Sequence, residues 1–168
     1  DFSAEGINRP VLSSDDQLWL KKAQIYFLEA RDDANRKIGS AVAYTTPDLL
    51  EALWATAAQV GVDPKRFLVQ VYNESRFNPH ARGDAGERGI GQFMRNTAKM
   101  LEFDWAKMSG GEETLAYQAR CAAEFVKSVG ESRYNGGNPE YVRMISSRMN
   151  AINHTRVGDY TCSSEACV

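Results

Sequence analysis

The chain has 168 residues, of which 43% are hydrophobic and 25% charged, with a formal net charge of −2. That length suits one domain with a real apolar core, and that composition is not one of disorder. The slight negative charge offers no attraction to nucleic acid or anionic membranes, and no apolar run nears the ~18–20 residues that span a bilayer. Because the chain opens at Asp1 rather than Met, it is expected to be processed or cut from a longer chain, with any targeting segment already removed.

Residues 1–13 lack periodicity and read as an irregular arm. Ser14, Asp15 and Asp16 then supply oxygens for orphan amides and acids for the helix dipole, so they open a helix running to about Lys37. Gly39 and Ser40 interrupt it. Thr46-Pro47-Asp48 starts a second helix, a capping hydroxyl followed by proline at the first helical position, and Gly61 ends it. Asp63-Pro64 repeats the device for a third helix to about Ser75.

A glycine-punctuated stretch from Arg76 to Gly91 is expected to be a loop with room for a short hairpin. Helical spacing returns at about 92–101 and 112–129, and Asn138-Pro139-Glu140 begins a last helix to about Asn150. The expected fold is all-α, about six helices, with a glycine-rich loop or hairpin between them. Residues 47–150 form the expected core, with 1–46 as an arm and extra helix packed on it and 151–168 as a tail.

Cys121 lies among Leu115, Ala119, Ala122 and Phe125 and reads as a small buried apolar residue. Cys162 and Cys167 bracket a short polar segment and would close a small ring, but spacing leaves their connectivity open. His80 and His154 are far apart and lack metal-ligand spacing, so neither a metal nor a cofactor is expected.

Three pieces carry chemistry. Glu74 lies seven residues after Phe67 and three after Val71, which puts all three on one inward helix face. A carboxyl group at the apolar end of a helix is partly desolvated, which raises its pKa and suits it to general-acid work. A lone glutamate at this spacing is more often a cap or an ion-pair partner. Gly83, Gly86, Gly89 and Gly91 follow, glycines that let a backbone approach a ligand closely. No Lys-Ser/Thr follows them and no strand precedes them, which removes both phosphate-loop readings. Tyr134-Asn135-Gly136-Gly137 is strong turn chemistry before the last helix.

Together, in order and spacing, these pieces resemble the soluble lytic transglycosylase family, relatives of goose-type lysozyme, over about residues 47–150. The family's Glu-Ser-x-aromatic-Asn-Pro appears as Glu74-Ser75-Arg76-Phe77-Asn78-Pro79. Its Gly-Ala-x-Gly-Leu-Met-Gln appears as Gly86-Glu87-Arg88-Gly89-Ile90-Gly91-Gln92, and its Ala-Tyr-Asn-Ala-Gly as Arg133-Tyr134-Asn135-Gly136-Gly137. The resemblance implies a lysozyme-like fold, glycan strands of peptidoglycan as substrate, and Glu74 as the single acid/base. It implies supporting or substrate contacts from Ser75, Gln92, Tyr134 and Asn135. Tyr72, Phe77 and Phe93 are lesser candidates for stacking on sugars, since aromatics at helical spacing are more often core.

Gly83 stands where the family often has a serine, Glu87 replaces a small residue, and Gly91 replaces a methionine. The last change is expected to open space at the cleft floor. Asp84 or Glu87, if opposite Glu74, would permit an inverting, lysozyme-like hydrolysis instead. A non-catalytic wall-binding module on the same fold is the other alternative. The expected protein is a periplasmic, secreted or virion-borne monomer without membrane insertion, whose N-terminal helix docks a partner or covers the cleft.

Overall fold

The computed structural model describes residues 11–30, 44–134 and 137–158. Among these residues there are seven α-helices and no extended strand: α1 (Ser14–Glu29), α2 (Pro47–Val60), α3 (Pro64–Ser75), α4 (Arg95–Met100), α5 (Leu115–Val129), α6 (Glu131–Tyr134) and α7 (Pro139–Asn153). No described helix is long and apolar enough to cross a membrane.

The expected starts hold because each supplies an acceptor to an orphan amide. Thr46 caps Leu49 N, Asp63 caps Lys65 N and Arg66 N, and Asn138 caps Glu140 N, each with proline next in sequence. In α1 the capping oxygen belongs to Ser13, one residue earlier than expected. Gly61 closes α2 at φ 97°, a left-handed conformation that costs glycine nothing. The first helix ends at Glu29 rather than near Lys37, because its C-cap Ala30 turns to extended backbone at ψ 116°; residues 31–43 and the Cys162–Cys167 pair lie outside the described residues.

Other boundaries differ from the expected ones too, and α7 runs on to Asn153 rather than stopping near Asn150. The fourth helix begins at Arg95, not at 92, because Phe93 is already bonded elsewhere. Its amide donates to Arg88 O at 3.1 Å and its carbonyl accepts from Arg88 N at 3.0 Å. With the Arg82–Arg88 bridge this makes a small antiparallel hairpin-like loop, the short hairpin for which the glycines left room. Short 3-10 segments at Trp105–Ser109 and Gly111–Thr114 delay α5 to Leu115.

The core gathers α2, α3 and α5, with Leu49, Leu53, Phe67, Leu68, Leu115 and Ala122 all buried. Helix α1 packs on α2 and α7. Phe27 stacks on Tyr72 at 4.6 Å and meets Phe77 edge-on at 5.1 Å, while Trp19 lies 6.1 Å from Trp54. Arg148 of α7 ties this side together, donating to Asn73 Oδ1 and to the Tyr26 hydroxyl at 2.9 Å each. The described part of the extra helix therefore braces α3 from behind, on the Tyr72 face, rather than lying over Glu74. Cys121 is buried as expected, and burial pushes its thiol up to about 11.

Candidate active site

Helix α3 ends abruptly after Ser75. Arg76 and Phe77 both adopt left-handed backbone, at φ 55° and 63°, where a side chain costs roughly 1–3 kcal/mol each. Burial offsets this. Phe77 is wholly buried, which contributes roughly 1.5–3 kcal/mol, and the buried Arg76 guanidinium donates to Tyr72 O at 2.7 Å and Asn73 O at 2.8 Å. The sharp stop leaves Glu74 at the lip of the helix, half-buried, facing a cleft of about 390 Å³.

That cleft brings the three sequence pieces together. Glu74 comes from α3, and Glu87, Gly91, Gln92 and Phe93 from the glycine loop. Thr97 of α4, Phe125 of α5 and Tyr134 of α6 complete the walls. Burial is the main force on Glu74, and the nearby Glu87 charge adds to it. Arg76 and the Tyr141 hydroxyl oppose them. The outcome is a carboxyl group raised from 4.5 to about 7.

The loop is held by Gln118, a residue with no local signal in the chain. Its Oε1 accepts from Ile90 N at 2.9 Å, and its Nε2 donates towards Pro79 O, Lys107 O and Thr114 Oγ1 at 3.1–3.3 Å. Gly89 passes against it at φ 78°, where a Cβ would meet Gln118 Oε1 at 2.5 Å and Met108 O at 2.7 Å. Gly89 is thus fixed both by conformation and by space.

Each expected site residue except Asn135 has a definite place. Gln92 lines the cleft, but its Nε2 donates to Gly89 O at 2.9 Å and Ala81 O at 3.2 Å, so it braces the loop and presents its amide oxygen. Tyr134 lines the cleft too, and its hydroxyl donates to Gly91 O at 2.8 Å rather than to Glu74. Phe93 contributes to the wall while packed edge-on against Phe103 and Phe125. Ser75 is fully buried and its hydroxyl donates back to Val71 O, so it stands apart from the cleft. Tyr72 and Phe77 are core residues. Asn135 lies outside the described residues.

The expectation that Gly91 opens space at the floor is corrected. A Cβ there would lie 2.7 Å from Phe93 Cε2 and 2.8 Å from the Tyr134 hydroxyl, so the room glycine vacates is already filled. At Gly83 the occupant is Glu87, whose Oε2 takes the place of any Cβ and whose Oε1 accepts from Ala85 N at 2.8 Å.

One more polar group faces the acid. Tyr141 of α7 is buried, and its ring lies 6.4 Å from that of Tyr134, nearly parallel. Its hydroxyl sits beside Glu74, close enough to favour the ionised carboxylate. Neither that hydroxyl nor Gln70 Nε2 has a hydrogen-bond partner of good geometry among the described residues. Gln70 carried a usable signal, a polar side chain one helical turn before Glu74 in an otherwise apolar run. Tyr141 shares a helix face with Ile145 and Met149 by spacing, which marks it as inward-facing but not as a neighbour of Glu74.

A family model described as the transglycosylase SLT domain matches residues 52–118, from α2 through the loop to the start of α5. The curated proteins and the solved structures give no match to the chain. Residues 52–118 therefore belong to the transglycosylase SLT domain family, in general peptidoglycan enzymes that cleave glycosidic bonds, and the all-α architecture is that family's lysozyme-like fold.

Proposed function

We propose that this protein is a peptidoglycan lytic transglycosylase that cleaves the β-1,4 bond between N-acetylmuramic acid and N-acetylglucosamine. The observation that carries the reading is Glu74, a half-buried carboxyl group at the edge of a cleft with its pKa raised to about 7. A group poised there both gives and takes a proton near neutrality. Protonated Glu74 donates to the bridging oxygen, which leaves with the C4 carbon of N-acetylglucosamine. The resulting carboxylate takes the proton of the muramoyl C6 hydroxyl as that oxygen bonds to C1. The product is a 1,6-anhydro sugar, Glu74 is again protonated, and no water is consumed. An attacking hydroxyl on the same sugar has the advantage of proximity.

Gln92 and Tyr134 serve this reaction by shaping the cleft, with Phe93 behind them. Residues 47–150 are the catalytic core in this reading, and the described helix before them is its brace. The substrate polymer lies outside the cytoplasmic membrane, so the enzyme acts in the periplasm, after secretion, or from a virion. Glu87, a second carboxyl group on the same cleft, favours one alternative, a muramidase-like hydrolysis in which it activates water.

Digestion of purified sacculi followed by mass spectrometry of the muropeptides separates the two. Anhydro-muropeptides are expected, and products with only reducing ends would overturn transglycosylation. Glu74→Gln is expected to abolish release of either product while keeping the fold. Undiminished release by that variant would overturn the assignment of the acid, and no release by the wild type would leave a wall-binding role for the fold.

A further inference from the structure

Glu87 occupies a seat that the rest of the loop is shaped to provide. Its backbone carbonyl accepts from Gly83 N at 2.9 Å, closing the turn. Its Oε1 accepts from Ala85 N, and its Oε2 fills the notch beside Gly83, on the side where Gln92 Oε1 also lies. A side chain at 83 would occupy that notch, and glycine leaves it free. The seated carboxylate lines the same cleft as Glu74. Leaving a negative charge half-buried beside another acid is unfavourable unless both groups are not ionised together.

We propose that Glu87 is a positioning residue that acts through Glu74: seated in the Gly83 notch, its negative charge keeps the proton on the acid until the leaving oxygen takes it. This rests on Glu74 being the acid, as proposed above. It assigns Glu87 a task different from water activation and makes Gly83 part of the device. The groups facing Glu74 are then balanced in pairs. Burial and Glu87 hold the proton on, while Arg76 at the end of α3 and Tyr141 from α7 pull it off. Tyr134 of α6 adds no hydrogen bond to Glu74 because its hydroxyl is committed to Gly91.

The test is the pH dependence of kcat/KM for soluble-product release from purified sacculi by the wild type, Glu87→Gln and Gly83→Ala. Glutamine keeps the shape and removes the charge. Alanine at 83 collides with Glu87 Oε2, the far end of a flexible side chain, so the carboxylate is expelled from its seat and the loop survives. Both variants are expected to move the alkaline limb of the profile to lower pH by about half a unit or more. The rate at pH 8 falls several-fold and the rate at pH 5 is retained. The double variant is expected to shift no further than either single one.

An unmoved alkaline limb in Glu87→Gln, or one moved to higher pH, overturns the proposal. So does loss of rate at every pH, which would place Glu87 in the chemistry itself. Glu74→Gln, run alongside, separates the two levels. If it still releases product the acid is misassigned. If it is inactive while the Glu87→Gln limb stays put, only the role of Glu87 falls.

Discussion

The Tyr134 hydroxyl donates to the Gly91 carbonyl at 2.8 Å, joining the turn before α7 to the floor of the cleft. The same hydroxyl stands where a Gly91 side chain would begin, 2.8 Å from an ideal Cβ, with Phe93 Cε2 at 2.7 Å on the other side. The bond and the missing side chain are one arrangement. Gly91 has no left-handed backbone, so its requirement is space alone.

Gly91→Ala accordingly tests that arrangement without backbone strain. Phe93 is held by Phe103 and Phe125 at 5.3 and 5.5 Å and has little room to yield. Overpacking of this kind costs roughly 1–3 kcal/mol, and the strain falls on the Tyr134 hydroxyl and its bond to Gly91. The expected outcome is a drop of about tenfold or more in kcat, equivalent to ~1.4 kcal/mol of barrier, with a smaller change in KM. Steady-state digestion and chemical denaturation, measured on the same preparation, check both halves.

Gly89 and Gly86 both have positive φ, 78° and 92°, but only Gly89 is hemmed in. Gly86→Ala meets nothing within 4 Å and should cost only its backbone strain, about 1 kcal/mol. Gly89→Ala drives a methyl group against the Met108 carbonyl and Gln118 Oε1, so strain and overpacking add to about 3 kcal/mol or more. Urea unfolding of the two variants should rank them in that order, and equal losses would mean that Gln118 does not lock the loop.

Much of this arrangement was legible in the chain because its signals are local. Thr46-Pro47, Asp63-Pro64 and Asn138-Pro139 cap and start helices by their own side chains, whatever packs against them. Glu74 shares its face with Phe67 and Val71 by helical spacing alone, and those two are buried. The rest depends on partners far away in sequence. Gln118 reaches back 39 residues to Pro79, and Phe93 is drawn out of a helix by its bridge to Arg88. Ser75 was a site candidate by its place beside Glu74, yet one residue of helical rotation turns it into the core.

Tyr141 offers a prediction of opposite sign to that for Glu87. Its buried hydroxyl lacks a well-formed hydrogen bond, and such a group is a cost to the fold of roughly 1–3 kcal/mol. Tyr141→Phe should therefore leave stability unchanged or raise it by about 1 kcal/mol at pH 5, where Glu74 keeps its proton. The hydroxyl also favours the ionised form of Glu74, so its removal should move the alkaline limb of kcat/KM to higher pH. Thermal unfolding and the pH profile check the two statements. A destabilised variant with an unmoved limb would show that the hydroxyl is structural.

The raised carboxyl of Glu74 also writes itself into stability, independently of turnover. In the unfolded chain this group titrates near 4.5 and in the folded one near 7. Below 4.5 both states hold the proton, and the fold bears no ionisation cost at this position. As pH rises towards 7 the unfolded state releases the proton first, so stability falls across that window and levels off above it. The difference corresponds to about 3 kcal/mol, less what solvent screens at the exposed edge of the side chain. Glu74→Gln removes the titration and keeps the shape, so the variant should gain on the wild type as pH rises. Unfolding free energies at pH 4.5 and 8 are expected to show that gap widening by about 2–3 kcal/mol. A gap that stays constant would mean that residue 74 ionises as freely in the fold as out of it, and an acid of that kind has no proton to give at neutral pH.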